Sequence, residues 1–582
     1  MNLVYLLVRT KNEDLVQMSR KKKEKAAPVF KPYNQNQQML LPPSLNELIP
    51  EDHVVRVIDK VVEQLDLSPL FTTYKGGGSS SYNPVMMLKV LLYGYIEQLY
   101  TPRRIAKALR EHTHFMWLSG MNQPDFRTIN NFRSGRLKKH IDQIFASLVL
   151  LLEKWGYIDL RNYFIDGTKM RANAYKYSYV WRKNTERYKR KSCEKIQELL
   201  AHIDELTEEE NTHYGEKDLA ELGADAAVDE EQLDKTVAEV NKQIEEATEN
   251  TDNEDNEDIP PLTSTEIEQQ IECAKERLEK LDDKSNRELK RDIKKLEKEY
   301  LPRLRKYEEQ EKHLSGRNSY SKTDVDATFF RYKNDEILPS YNWLIGTENQ
   351  FIIGTSVHQN AADSSCFVDH MNKLEELLGE KKIQRAIGDA GFGNEENYQY
   401  LEEHGIANFL KYSQFHHDVG ITTRRKKKQY FTRDDFIYQE EHDRFMCPNG
   451  RKLLREEDDQ IRVTATGFKK RIAVYRCESC AGCKYATICK TGKRNRAVNV
   501  SWPLEEYRHR ARENLTSKEG EKLRAQRNVD VESVNGHIKF NRKFSRFLLR
   551  GLKKVNIETT LLSMAHDVLK MREINKRKVC PC

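Results

Sequence analysis

Twice along this chain a short apolar run stops on an aspartate followed by a small residue. At 163–167 the text is Tyr-Phe-Ile-Asp-Gly, and at 386–391 it is Ala-Ile-Gly-Asp-Ala-Gly. Apolar runs of this length, bounded by turn residues, read as buried strands. More strand-like text lies at DATFFRY (326–332), YNWLIG (341–346), FIIGTSVHQ (351–359) and ANFLKY (407–412). Helical patterns sit between, at CFVDHMNKLEELLG and NEENYQYLEEHG. Strands alternating with helices predict a mixed α/β sheet. The carboxyl edge of such a sheet is where sites form, and a small residue after each acid lets backbone or a ligand approach. Asp166 and Asp389 are therefore candidate site residues. A turn or cap role is the competing reading for either acid alone.

A third acid stands in RNVDVESVNGHIKF. Val531, Val534 and Ile538 give that segment an apolar side. Glu532, Asn535 and Lys539 share another side at i, i+3 and i+7, which sets a carboxylate and a cation two turns apart. Hard oxygen ligands suit magnesium. Three carboxylates from separate elements could hold two such ions, roughly 4 Å apart, for an in-line phosphoryl displacement. Lys169 and Arg171, just past Asp166, would then neutralise phosphates.

The rest of the chain is uneven. Its 582 residues exceed one ordinary domain, and the 38% that are hydrophobic suffice for a sizeable core. Charged residues reach 32%, with a net charge of +7. The middle is acidic and both flanks are basic, which suggests a polyanionic partner for the flanks. Residues 1–39 are basic and read as disordered. Residues 40–150 read as helices, the first carrying an apolar stripe at Val54, Val57, Ile58, Val61, Val62 and Leu65. KGGGSSSYNP breaks the run. Thr101 and Asp125 are cap-like, and Arg103, Arg104, Lys107, Arg127, Arg133 and Arg136 follow on the helices. Two readings stay open: a helix-turn-helix-like DNA reader, or a helical bundle with a solvated basic face.

Residues 185–318 differ in kind. Ile196, Leu199, Ile203 and Leu206 recur at steps of three and four, as do Ile267, Ile271, Ala274, Leu278 and Leu281. After a skip the pattern resumes at Leu289, Ile293, Leu296 and Tyr300. Two long helices packed as an antiparallel coiled-coil hairpin are expected, joined by a loose acidic linker, ENTDNEDNEDIPP.

Five of the ten cysteines fall between 447 and 489: Cys447, Cys477, Cys480, Cys483 and Cys489. Successive C-x2-C steps suit a structural Zn2+ site, four ligands from five candidates, with Cys447, Cys477 and Cys480 favoured and Cys483 ahead of Cys489 for the fourth. Free thiols in a small subdomain remain the other reading. RRKKKQY at 424–430 is either a DNA contact or a solvated loop. Cys580 and Cys582 read as frayed thiols. No stretch of about 18 apolar residues occurs, so no membrane span is expected. The start lacks a basic n-region and a cleavage site, so no signal peptide is read and a cytoplasmic, nucleoid-associated protein is expected. Met18 could be an alternative translation start.

Taken together these segments resemble bacterial insertion-sequence transposases with a DDE triad, of the InsH-like group. NPVMMLKVLLYGY and PDFRTINNFR resemble that group's N-terminal helical domain, YFIDGTKMRANA its first-Asp motif and IGDAGFGNEENY its second. SKTDVDATFF with YNWLIG resembles the intervening strands, and VESVNGHIKFNRKFSRF with its tail the Glu motif. The resemblance implies an RNase H-like catalytic core spanning 155–184, 319–430 and 501–582. The helical coiled-coil insertion occupies 185–318, and the small cysteine-rich, zinc-ribbon-like insertion 431–500. It implies Asp166, Asp389 and Glu532 as catalytic carboxylates holding Mg2+ or Mn2+. Lys539, at the family's E-x6-K spacing, would contact transposon-end DNA. Arg527 precedes Glu532 by one residue more than the strict spacing and would be a further DNA contact. No Tyr stands where the pattern expects one, and Asn535-Gly536 replaces a frequent Phe-Gly. The implied partner is double-stranded DNA, with a homodimer or larger assembly joining two ends. A silent DNA-binding relative and an RNase H-like nuclease are the alternatives.

Overall fold

The computed structural model describes residues 44–74, 81–213, 262–278, 285–420, 431–490 and 492–579. The basic start, the glycine-rich break, the acidic linker, the run at 424–430 and Cys580 with Cys582 lie outside those residues. The chain divides into two units, residues 1–50 and 51–582. In the first, the described residues form one 3-10 turn, Leu45–Leu48, whose cap Ser44 accepts the Asn46 N–H.

The second unit begins with helices α1 (Val54–Gln64), α2 (Pro84–Ile96), α3 (Pro102–Glu111), α4 (Phe126–Asn131) and α5 (Ile141–Lys154). Their starts follow local chemistry. Asn83 accepts the Val85 N–H at 2.8 Å with Pro84 in the first helical position. Thr101 and Asp125 cap α3 and α4 as their residue types suggest. Apolar on almost every side, α2 is buried from Met87 to Ile96, and its Lys89 is neutralised by Asp59 and Glu63.

Strand β1 (Asn162–Arg171) and a short pair, β2 (Tyr179–Trp181) with β3 (Ser319–Ser321), bracket the helical insertion. Within it, α6 (Arg182–His213), α7 (Ser264–Leu278), α8 (Ser285–Lys295), a π turn and α9 (Leu301–Leu314) share one core of Ile196, Ile203, Ile267, Ile271, Leu289, Ile293 and Leu304. This corrects the two-helix hairpin. α7 packs against both α8 and α9, and α6 against the same two, so each shorter stripe is buried against more than one neighbour.

The main sheet adds β4 (Thr328–Arg331), β5 (Ile337–Glu348), β6 (Phe351–His358), β7 (Arg385–Gly388) and β8 (Ala407–Leu410). Its order is β4-β5-β1-β7-β8, with β6 also on β5. β5 is antiparallel to β1, while β7 is parallel to it, so the sheet is mixed as expected. Helices α10 (Phe367–Leu378) and α11 (Glu395–Glu403) supply the crossovers. The register is held at the start of β1 by the buried Glu348, whose two carboxylate oxygens accept the N–H groups of Asp159, Leu160, Arg161 and Asn162 at 2.6–3.0 Å. On one face the Tyr163 ring lies against Gly346 and Gly354, where any Cβ would collide with it.

A second sheet is built from β9 (Ile437–Gln439), β10 (Arg444–Met446), β11 (Lys452–Arg455), β12 (Gln460–Val463), β13 (Lys469–Cys477) and β14 (Ala497–Val500). It coincides with the cysteine-rich segment. The chain then returns through α12 (Trp502–Thr516) and α13 (Lys518–Arg527) to the long α14 (Leu552–Val579). α14 packs against both β6 and α2, joining the helical region to the sheet. Its buried acids are used by backbone. Glu558 accepts from Leu548 and Leu549, and Asp567 from Ile352.

Candidate functional site: a carboxylate centre at the open edge of β1

β1 pairs with β5 over Phe164–Arg171 but with β7 only over Asn162–Phe164. Past Phe164 the β7 side of β1 is open until Arg171, which bridges Arg546. Asp166 stands in that opening, so it is an end residue with respect to β7 although β1 itself runs on to Arg171. β7 stops at Gly388, and Asp389 follows immediately, its Oδ1 accepting the Gly391 N–H at 2.8 Å. Gly393 brings the next loop close: a Cβ there would lie 2.2 Å from the Lys411 carbonyl oxygen. The divergence of β1 and β7 is what sets the two aspartates beside one gap.

The third element arrives from α13. Its last residue, Arg527, is followed by a π turn, Asn528–Glu532, one α turn, Ser533–Gly536, and a second π turn, His537–Asn541. In a regular α-helix, residues five apart diverge around the axis. A π turn, with its i→i+5 pairing, realigns them. Arg527 and Glu532 therefore face the same gap despite the extra residue between them. One Arg527 nitrogen donates to Asp166 Oδ1 at 3.0 Å and lies 4.0 Å from Asp389 Oδ2, and the other donates to Glu532 Oε1 at 2.9 Å. Asn535 donates to Asp166 Oδ2 at 2.8 Å. The stripe of Glu532, Asn535 and Lys539 thus turns toward Asp166, whose charge acts on the half-buried Lys539.

Burial pushes the Asp166 carboxyl up to about 6 against the pull of Arg527, with Asp389 and Asp363 adding to the rise. Burial lowers the Lys539 ammonium, opposed by Asp166, and lowers Lys411 as well, helped by the charges of Arg527 and Arg524. Asn342 and Lys411 lie in the strand-like text YNWLIG and ANFLKY, which marks neither as a site residue, and Asp363 has no motif of its own. Asp363 lies in the polar text QNAADSS, where an acid reads as a helix cap.

Three carboxylates around one cation are the donor set of a hard divalent ion. In this structure the cation between them is the Arg527 guanidinium, so the residue types and their convergence fit Mg2+ or Mn2+. Among the described residues no group of three or more His, Cys, Asp or Glu is arranged as a ready-made cage.

The basic residues fall into two sets. Arg103, Arg104, Arg127 and Arg171 are exposed, and the guanidiniums of Arg103 and Arg127 lie 5.1 and 5.7 Å from the centre of the Phe126 ring. Lys169 donates to the Arg331 carbonyl at 3.1 Å. Arg133 and Arg527 are turned inward, which corrects their expected place on a surface: Arg133 is 2% exposed and donates to the Tyr100 carbonyl, and Arg527 is 5% exposed. Arg542 is also buried and holds the Tyr95 and Ile96 carbonyls.

In the cysteine-rich sheet, Cys477 is in the core, and Cys447, Cys480 and Cys489 pack against it. Cys447 Sγ accepts the Arg451 N–H and Cys480 Sγ the Arg496 N–H, both at 3.3 Å. Burial pushes the Cys477 thiol up to about 11, and the thiols of Cys480 and Cys447 add to that. Cys483 does not pack into that core but stands on the loop before Ala486–Cys489, where its thiol acts on Cys489 together with those of Cys480 and Cys447.

The fold and site define a mixed α/β protein with an acidic, cation-bridged centre at a strand edge. Residues 446–572 match the family model described as transposase DDE domain, and residues 43–135 match the one described as transposase domain (DUF772). The two matches indicate an insertion-sequence DDE transposase family and support a transposase function in general terms. Glu532 lies within the first match; Asp166 and Asp389 lie outside it. No curated protein and no solved structure matches the chain. Among the described residues, no helix is long and apolar enough to cross a membrane.

Proposed function

We propose that the protein is an active DDE transposase with an RNase H-like core. It binds the terminal inverted repeats of its element, cleaves phosphodiester bonds at the ends and transfers the freed 3′-OH ends to target DNA. The observation that carries this is the convergence of Asp166, Asp389 and Glu532, from three separate elements, on the one guanidinium of Arg527. These three would hold Mg2+ or Mn2+. When bound, the ions supply charge neutralisation at the attacking and leaving oxygens of an in-line displacement. The chain's own residues do the positioning. Asn535 fixes the Asp166 carboxylate by its hydrogen bond. Lys539 and Lys411 place positive charge beside the carboxylates, where a scissile phosphate would sit. Lys169 and Arg171 extend that charge along β1, and Arg103, Arg104 and Arg127 offer an exposed basic surface on the helical region for duplex DNA.

The cysteine-rich sheet is proposed as a zinc-ribbon-like insertion. Cys447, Cys477 and Cys480, with Cys489 as the fourth ligand from its packing, would hold a structural Zn2+. The two backbone N–H groups donated to sulfur are the kind of support a thiolate ligand needs. The protein is proposed to act in the cytoplasm, on the nucleoid, as a homodimer or larger assembly that joins two ends.

The test is cleavage of labelled DNA carrying the element's own ends, in Mg2+ or Mn2+, with Asp166→Ala, Asp389→Ala and Glu532→Ala beside the wild type. Cutting at the end boundary, lost in each variant while end binding remains, is the expected result. Binding without cutting by the wild type would point to a silent relative, and equal cutting of unrelated DNA to a nuclease.

A further inference from the structure

A fourth acid faces the same gap from the other side of β1. Asp363 opens the 3-10 turn Asp363–Ser365, in the loop between β6 and α10. Acids in such loops ordinarily cap the turn they start. Here the cap position is held by Ala362, and the Asp363 carboxylate points to the sheet. Asn342 on β5 donates to Asp363 Oδ1 at 2.6 Å. Asn342 is wholly buried, and its own Oδ1 has no partner among the described residues. Burying an unsatisfied amide is costly. The buried Asn342 amide thus holds this carboxylate, with the Cys366 thiol also within its reach.

The aim is toward the carboxylate centre. The carboxylate lies over Gly167: a Cβ there would come within 2.2 Å of Asp363 Oδ1 and 2.8 Å of Oδ2. Neighbouring residues of a strand face opposite sides, so Asp363 approaches on the side away from Asp166 and Arg527. It also meets the second aspartate. The position of a Cβ on Gly391 would be 3.0 Å from Asp389 Oδ1 and 3.7 Å from Asp363 Oδ2. Gly167 and Gly391 are thus the two places where a side chain would fill the space this carboxylate uses. Arg527 bridges Asp166 and Glu532 but not Asp363; among the described residues the cation acting on Asp363 is the Lys169 ammonium.

We propose that Asp363 is a fourth carboxylate of the metal centre, sharing with Asp389 the divalent cation on the side of β1 opposite Arg527, and aimed there by Asn342. The proposal rests on the reading of Asp166, Asp389 and Glu532 as metal ligands, and the experiment separates the two.

Mn2+ binding to the full chain is followed by electron paramagnetic resonance, and thermal unfolding is measured in EDTA and in Mn2+. The variants are Asp363→Asn, Gly167→Ala, whose methyl displaces the carboxylate, and Asp389→Asn as reference. Asp363→Asn and Gly167→Ala are each expected to weaken Mn2+ binding on the order of tenfold or more, or to remove one of two ions. In EDTA the Asp363→Asn protein should melt no lower than the wild type, since a like charge has been removed, while its gain from Mn2+ shrinks. A lower melting point in EDTA with Mn2+ affinity unchanged would make Asp363 structural and overturn the proposal. Mn2+ binding lost in Asp389→Asn but intact in Asp363→Asn would overturn it while leaving the three-acid reading in place. Binding unchanged in all three would overturn both.

Discussion

The Arg527 guanidinium donates to Asp166 Oδ1 at 3.0 Å, and its other nitrogen reaches Glu532 at 2.9 Å. A buried cation thus holds together the carboxylates from β1 and from the π-turn segment. Removing it leaves Asp166, 19% exposed, without its cation, while the more exposed Asp389 and Glu532 are screened by solvent, so the loss should fall below the roughly 3–5 kcal/mol of a fully buried pair. Arg527→Ala should therefore melt below the wild type in EDTA. Mg2+ should restore more of its stability than it adds to the wild type, because the ion and the guanidinium serve the same carboxylates. Equal shifts with Mg2+ in both proteins, measured by calorimetry, would dismiss the idea. Arg527→Lys should recover little, since one ammonium cannot bridge two carboxylates as a planar fork does.

Glu348 gathers four backbone N–H groups at the start of β1. Glu348→Ala leaves all four without that acceptor, the Leu160 N–H in a buried position and the other three in part-buried ones. A loss of more than about 3 kcal/mol is expected from denaturant unfolding, with Glu348→Gln retaining part of it. A change within about 0.5 kcal/mol, the range of an ordinary surface substitution, would mean that other acceptors or water take over.

A buried polar chain behind the sheet predicts acid sensitivity. Tyr163 Oη meets His370 Nε2, His370 Nδ1 meets Ser356 Oγ, and Ser356 Oγ meets His358 Nε2, at 2.5–2.6 Å. Burial lowers the His358 imidazole to about 4, helped by the Lys373 ammonium, and also lowers His370 well below the usual imidazole range, with His358 and Lys373 contributing. A histidine kept neutral in the fold costs nothing above pH 6.5, where the unfolded chain is neutral too. Below that the unfolded chain takes up the proton first. Stability should fall from about pH 6.5 toward 4, on the order of 3 kcal/mol for His358 alone. Melting points that stay level across this window, or that fall equally in His358→Gln, would contradict it.

The cysteine cluster predicts a metal stoichiometry. Purified protein should carry about one zinc per chain, the occupancy of a single four-ligand site. Cys447→Ser and Cys480→Ser should each lose it and melt lower, and Cys489→Ser should lose more zinc than Cys483→Ser, following the packing. Elemental analysis reads this directly. Zinc retained through both of the first two substitutions would leave the cluster as free thiols packed in a small core.

What the sequence determined by itself was local. Apolar runs ending on Asp166 and Asp389 marked strands at a site, Thr101 and Asp125 marked helix starts, and the period at 531–539 marked a helix with a polar stripe. These are near-neighbour properties, governed by side-chain periodicity and by backbone groups needing partners within a few residues. What only the tertiary structure decided depends on contacts between distant parts of the chain. Arg527 is a bridge among carboxylates because a π turn realigns it with Glu532 and because β1 opens away from β7 at that point. Arg133 and Arg542 lie inside because carbonyls at the ends of other helices take their guanidiniums. Four helices share the insertion's core where two were expected, because each short apolar stripe needs more than one partner to be covered. Asp363 and Asn342 enter the site from a loop of no special pattern and from strand-like text that marks no site residue, since position beside Gly167 and Gly391 is a property of the packed sheet and leaves no period in the text.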